Sequence, residues 1–222
     1  MSAESTSSQS LRVADGDHPE ASAALRRNER YLREFIEDLS ICPYARMCRE
    51  QQRLYRAVFL QTQPTPQSVA EHVLSLEPLS QFEIGLLIFP NFAPSLQANQ
   101  TGSQSVGESH QFERFVTEAR NHYGKLRRGV PGFFLVAFHP AMPMNLANPD
   151  VAVRFMRRSP DPTIQLVRPE VIDSVRNPHH NRDDLSATIA ERGLQAVSSI
   201  GPDKIAQRLS EIHRDERSTK ND

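Results

Sequence analysis

The chain has 222 residues, 38% of them hydrophobic, with 26 Lys and Arg against 27 Asp and Glu and a formal net charge of −1. That length suits one domain with a full core, and the balanced charge argues against a general nucleic-acid surface, which needs a basic excess to displace counterions. No apolar run approaches the ~20 residues of a membrane helix. The two cysteines, Cys42 and Cys48, leave room for a single staple but not for a disulfide-built fold.

Residues 1–21 are rich in Ser, Asp and Glu and lack a hydrophobic stretch, so they read as a disordered tail rather than a secretory signal. This points to the cytoplasm. From Ala23 to Leu39, the residues Leu25, Leu32, Phe35, Ile36 and Leu39 share one helical face. Ser40–Cys48 follows as a turn or helix break at Pro43. Leu54–Gln61 is strand-like, and Thr65–Leu76 predicts a helix entered at Pro66. Glu83–Phe89 is almost wholly apolar, as a central strand covered on both faces would be.

Asn91–Gly107 is a Gln/Ser/Asn-rich loop, long enough to be a mobile segment or a lid. Ser109–Tyr123 returns to helical spacing, Phe133–Phe138 reads as a second buried strand, and Thr163–Val167 alternates like a half-buried one. Glu170–Val175, Asp184–Glu191 and Asp203–Ile212 predict helical segments, and residues 214–222 a second charged tail. These elements specify an α+β fold in a single domain over residues 22–213. Its expected form is a four-stranded sheet covered by helices, ferredoxin-like or a related α/β sandwich.

The segment from Phe138 to Arg168 is dense in Pro, Arg and His between two apolar runs, and polar groups on a stiff loop held by strands are where binding and catalysis concentrate. His139, closing a strand, suits a general base or a metal or heme ligand, or else a hydrogen-bonding cap on the sheet. Arg157, Arg158 and Arg168, with Ser159 and with Arg154 beside them, can form an anion pocket, because guanidinium forks match carboxylate and phosphate. Alternatively, Arg158 pairs internally with Asp150 or Asp161. Asp150 either caps the following segment or orients His139. Cys42, after one helix and before Pro43, is a candidate nucleophile, redox centre or soft-metal ligand, against a buried residue closing a helix. Cys48 reads as structural or exposed. His179 and His180 with Asp183 and Asp184 look like a metal cluster, yet adjacent histidines in a polar loop rarely converge on one ion. The chain has no Walker loop, no G-x-G-x-x-G and no H-E-x-x-H.

Taken in order, Cys42-Pro43-Tyr44-Ala45, Phe138-His139-Pro140, Pro149-Asp150, Arg158-Ser159-Pro160, Pro162, Leu166 and Arg168 resemble the bacterial family called domain of unknown function 1415. The resemblance spans roughly residues 30 to 194. The chain departs from the family pattern at Met144, Leu146, Val151, Arg154, Arg157, Gln165 and Pro169, which marks a divergent, specialised member. The resemblance implies no reaction, so the chemistry is argued from the residues.

The leading expectation is a small cytosolic enzyme acting on a small anionic metabolite, a carboxylate or phosphate. Arg158 and Arg168 would hold the anion, supported by Arg157, Ser159 and Asp150. His139 would move protons, and Cys42 would act as redox or nucleophilic partner. A second expectation is a heme- or metal-dependent oxidoreductase with Cys42 or His139 as ligand, which makes heme or iron the candidate cofactor. A third is a non-catalytic interaction module. The expected partner is a small molecule, with neither nucleic acid nor membrane, and the oligomeric state is left open.

Overall fold

The computed structural model describes residues 11–93, 104–143, 154–175, 194–195 and 197–214. Four five-residue strands form one sheet: β1 (Leu54–Val58), β2 (Ile84–Ile88), β3 (Phe134–Phe138) and β4 (Thr163–Val167), in the spatial order β1-β2-β4-β3. β1 and β2 run parallel, joined through the helix α3 (Pro66–Leu76); β4 is antiparallel to both β2 and β3. β2 is buried at all five positions, as its apolar run requires for a strand covered on both faces. The expected α+β domain is present. Its element order, β-α-β-α-β-β, differs from the β-α-β-β-α-β of a ferredoxin-like fold, so the related sandwich is the form adopted.

Side chains alternate across the strands and so sort the sheet into two faces. One face carries Ala57, Leu87, Leu135, Ile164 and Leu166, packed with α3 and the helix α4 (Gln104–Arg127) in a core that includes Phe59, Phe89, Phe112 and Phe115. The other carries Val58, Ile84, Leu86 and Ile88 beneath α1 (Pro19–Arg30) and α2 (Pro43–Glu50). A third cluster joins Tyr31, Phe35 and Ile36 to Phe155 and Met156 and to Ile205, Leu209 and Ile212 of α6 (Pro202–His213). α5 (Pro169–Val175) follows β4.

Several boundaries differ from the sequence reading. The helix expected over 23–39 starts earlier, at Pro19, where a proline suits the first helical position. The N-terminal tail is accordingly shorter than expected among the described residues: Ala21 is buried, and the Ala14 N–H donates to the Val58 carbonyl at 2.8 Å. From Tyr31 to Glu37 the helix widens into π form, seen in the Asp38 N–H bonded to the Arg33 carbonyl five residues back. Pro43 does not break a helix but starts α2. Residues 104–107, expected as loop, belong to α4. The rest of that loop from 94 to 103 and the predicted helix at 184–191 lie outside the described residues.

Ion pairs pin the helices over the second face. Glu37, nearly buried, accepts two 2.8 Å hydrogen bonds from Arg49, which hold its carboxyl below the usual range against the opposing effect of burial. Arg27 grips Asp161 at 2.7 and 3.1 Å and so ties α1 to the turn before β4.

Candidate functional site

A concavity lies between the second sheet face and the α1–α2 layer. Its floor is Leu54 of β1, Ile84 and Leu86 of β2, Phe138 of β3, and Thr163 and Gln165 of β4. Asn28, Tyr31, Leu32 and Ile36 line it from α1 and its π-helical continuation, and Cys42, Ala45 and Cys48 from the segment through α2. The turn before β4 adds Met156, Arg157 and Ser159. The volume is about 320 Å³. At the ~30 Å³ that a water-sized group occupies, this holds roughly ten non-hydrogen atoms, the low end of small-molecule sites. A π-helical turn in the wall fits a site of this kind, since such turns cluster at functional positions.

Four polar groups in the wall are already committed. Tyr31 Oη donates to the Met156 carbonyl at 2.8 Å, and burial pushes its phenol above the ordinary range. Ser159 Oγ and Thr163 Oγ1 both donate to the Asp161 carbonyl, at 2.6 and 2.8 Å. Cys48 is buried and donates to Glu83 Oε2 at 3.6 Å; burial, with the Glu83 carboxylate second, pushes its thiol up to about 12. Of the two expectations for it, structural or exposed, the buried position excludes exposure.

Three groups are not committed in this way. Asn28 is 2% exposed, and its Oδ1 has no hydrogen-bond partner among the described residues. A buried acceptor left unpaired costs about 1–3 kcal/mol in the empty cavity. Cys42 sits at the N-cap of α2, half-buried. Burial raises its thiol above the ordinary range, opposed by the backbone N–H groups of Tyr44 and Ala45. Arg157 is the third. Burial lowers its pKa, Glu113 opposes that through space, and Arg154 and Arg120 add repulsion. Among the described residues no carboxylate or carbonyl is within bonding distance of its guanidinium.

The sequence candidates therefore separate. Cys42, Arg157 and Ser159 share the cavity. His139 does not: by strand alternation it follows Phe138 onto the opposite face, where its ring meets Phe112 at 5.7 Å. It is 6% exposed, its Nδ1 accepts the Ala141 N–H at 3.1 Å, and burial pushes its pKa down to about 4. It caps the end of the sheet as a neutral imidazole. Arg158 is also outside the cavity wall; its Nε donates to the Pro140 carbonyl at 3.0 Å and its guanidinium lies 5.8 Å from the Phe155 ring. Of the two acids expected to pair with it, Asp161 is taken by Arg27, and Asp150 lies outside the described residues.

Arg168 lies at the other end of β4. It donates to the carbonyls of Phe82, Glu77 and Leu79 at 2.9, 3.2 and 2.6 Å and stacks 4.6 Å from the Phe133 ring. It clamps the end of α3 to the sheet, at the opposite end of β4 from Arg158. Asp150, His179, His180, Asp183 and Asp184 lie outside the described residues. The single staple left open by the two cysteines is absent: both are free. Six helical rises put about 9 Å between their backbones, beyond disulfide reach. Among the described residues no three His, Cys, Asp or Glu side chains gather as a metal site. Sequence reasoning did not place Asn28, Tyr31 or Gln165 in the site: Asn28 and Tyr31 are ordinary helix residues until packing turns them inward, and Gln165 stood out only as a departure from the family pattern.

A family model described as a protein of unknown function, DUF1415, matches residues 23–207. The chain belongs to that family. The match covers every strand of the sheet and most of the cavity wall of this DUF1415 member. No curated protein and no solved structure matches it. None of its described helices is long and apolar enough to cross a membrane.

Proposed function

We propose that this protein binds a small amphipathic anion in the cavity beneath α1 and α2, with the apolar body against Leu32, Ile36, Leu86 and Phe138 and the anionic head at Arg157. The observation that carries this reading is the partly buried guanidinium of Arg157, which has no direct partner among the described residues. A guanidinium so placed is stabilised when an anion arrives, because the ion pair forms where water screens poorly. The earlier expectation of an anionic metabolite is retained, with Arg157 in the place given to Arg158 and Arg168.

Within the wall, Cys42 is the thiol whose proton is not engaged, so it is the side chain to which chemistry on a bound ligand would fall. As a thiol rather than a thiolate in the empty site, it needs a base or the ligand itself to take its proton.

Titration calorimetry with octanoate, whose ten non-hydrogen atoms match the space available, tests the reading. Binding that disappears in Ala45→Trp, which fills the cavity from α2, is the expected result. Absence of binding to the full-length wild-type chain, or binding indifferent to the filled cavity, overturns it.

A further inference from the structure

Arg157 belongs to two concavities. The second, about 470 Å³, runs beside the edge strand β3 and α4, and Glu113, Arg114, Arg120, Val136 and Arg154 line it with Arg157. Four arginines against one glutamate leave a surplus of three positive charges in this groove, in a chain whose net charge is −1. The one carboxylate is already occupied: Arg154 Nη2 reaches both oxygens of Glu113 at 2.9 and 3.1 Å, and His110 Nδ1 lies 3.4 Å from it. Arg120 Nη2 donates to the Leu135 carbonyl at 2.7 Å on the open side of β3, which leaves its other N–H groups for solvent or ligand. Arg114 is exposed and makes no direct ion pair among the described residues.

Like charges gathered in one groove repel, and here Arg154 and Arg120 both act against the charge on Arg157. That repulsion is relieved by an anion larger and more highly charged than a carboxylate. Phosphate oxygens match guanidinium forks and can bridge several of them at once.

We propose that the ligand is a phosphate-bearing amphiphile whose apolar chain fills the cavity and whose phosphate lies in the arginine groove, with Arg157 at the boundary between them. This rests on the cavity reading and names the head group that reading left as a generic anion. The groove is apolar only at Val136, Val116 and Ala137, so it takes the head and not the chain. The 320 Å³ cavity takes an apolar portion of about eight carbons, leaving the phosphate outside.

The test is calorimetry on the full-length chain in a phosphate-free buffer of low ionic strength, comparing octanoate with octyl phosphate on wild type and on Arg114→Gln/Arg154→Gln. Both substituted side chains are exposed, and circular dichroism verifies the fold. Octyl phosphate at least tenfold tighter than octanoate is expected. In the double variant that advantage should shrink at least fivefold, while octanoate affinity changes less than threefold. Equal affinity for the two ligands, or an octyl phosphate affinity insensitive to the double variant, overturns the phosphate assignment and leaves the cavity reading standing. Failure of both ligands to bind wild type overturns the cavity reading, and the phosphate assignment with it.

Discussion

Arg157→Met separates a residue kept for the fold from one kept for a ligand. Methionine preserves length and apolar contact but removes the charge. In the free protein that charge is opposed by burial and by Arg154 and Arg120, and favoured by Glu113, whose carboxylate is already engaged by Arg154 at 2.9 Å. A carboxylate paired directly at 4 Å would contribute up to about 4 kcal/mol at an effective dielectric of 20, and Arg157 has no such partner among the described residues. Removing the guanidinium should therefore stabilise the empty protein by about 1 kcal/mol, a rise of roughly 2–4 °C in Tm for a chain of this size. The same change should cost an anionic ligand about 1.5–3 kcal/mol, the worth of a charged hydrogen-bonded contact, or roughly a 10- to 150-fold loss of affinity. Thermal melts read the first effect and calorimetry with octanoate the second. A Tm that falls by several degrees with ligand affinity unchanged would refute the reasoning, because Arg157 would then be a structural residue.

His139 should make the protein acid-labile. Its pKa is lowered from 6.5 to about 4, so the unfolded chain binds more protons between those values, and stability falls as pH drops through that window. The full effect is about 3 kcal/mol, and urea titrations from pH 7 to 4 should show a shallower loss in His139→Asn, whose Oδ1 can still accept the Ala141 N–H. Equal slopes in the two proteins would refute the assignment. Arg168→Leu should cost about 2–3 kcal/mol through its three carbonyl contacts, yet leave octanoate affinity within twofold of wild type. A selective loss of binding would restore Arg168 to the site. Cys42 should react with iodoacetamide at less than a tenth of the rate of a free thiol at pH 7.5, because burial raises its pKa. Bound octyl phosphate should slow it further, and fast labelling that ligand does not change would count against its place in the wall.

Local pattern was enough for much of the fold. The apolar run around Leu86 and Leu87 could only be a strand covered on both faces, and β2 is one. The alternation of Thr163–Val167 set the bounds of β4, and proline at position 66 set the start of α3. These succeed because strand alternation and helix entry depend on neighbours within a few residues. Composition likewise flagged the loop before β4 as chemically dense, and that loop supplies Arg157 and Ser159 to the cavity.

Grouping the side chains into one site depended on tertiary structure. His139 and Phe138 are adjacent in the chain, yet strand alternation sends one against Phe112 and the other into the cavity. Arg158 and Arg168 bracket β4 and so end near opposite ends of the sheet, each bonded to backbone carbonyls. Asn28 and Tyr31 reach the same wall as Arg157, more than a hundred residues away, because α1 and its π-helical turn pack over the second sheet face at β1 and β2. Sequence determines each residue's local geometry and chemical type. Which of those residues share a cavity, and which arginine lies there without a partner among the described residues, is decided by how helices and sheet pack, since both depend on contacts far apart in the chain.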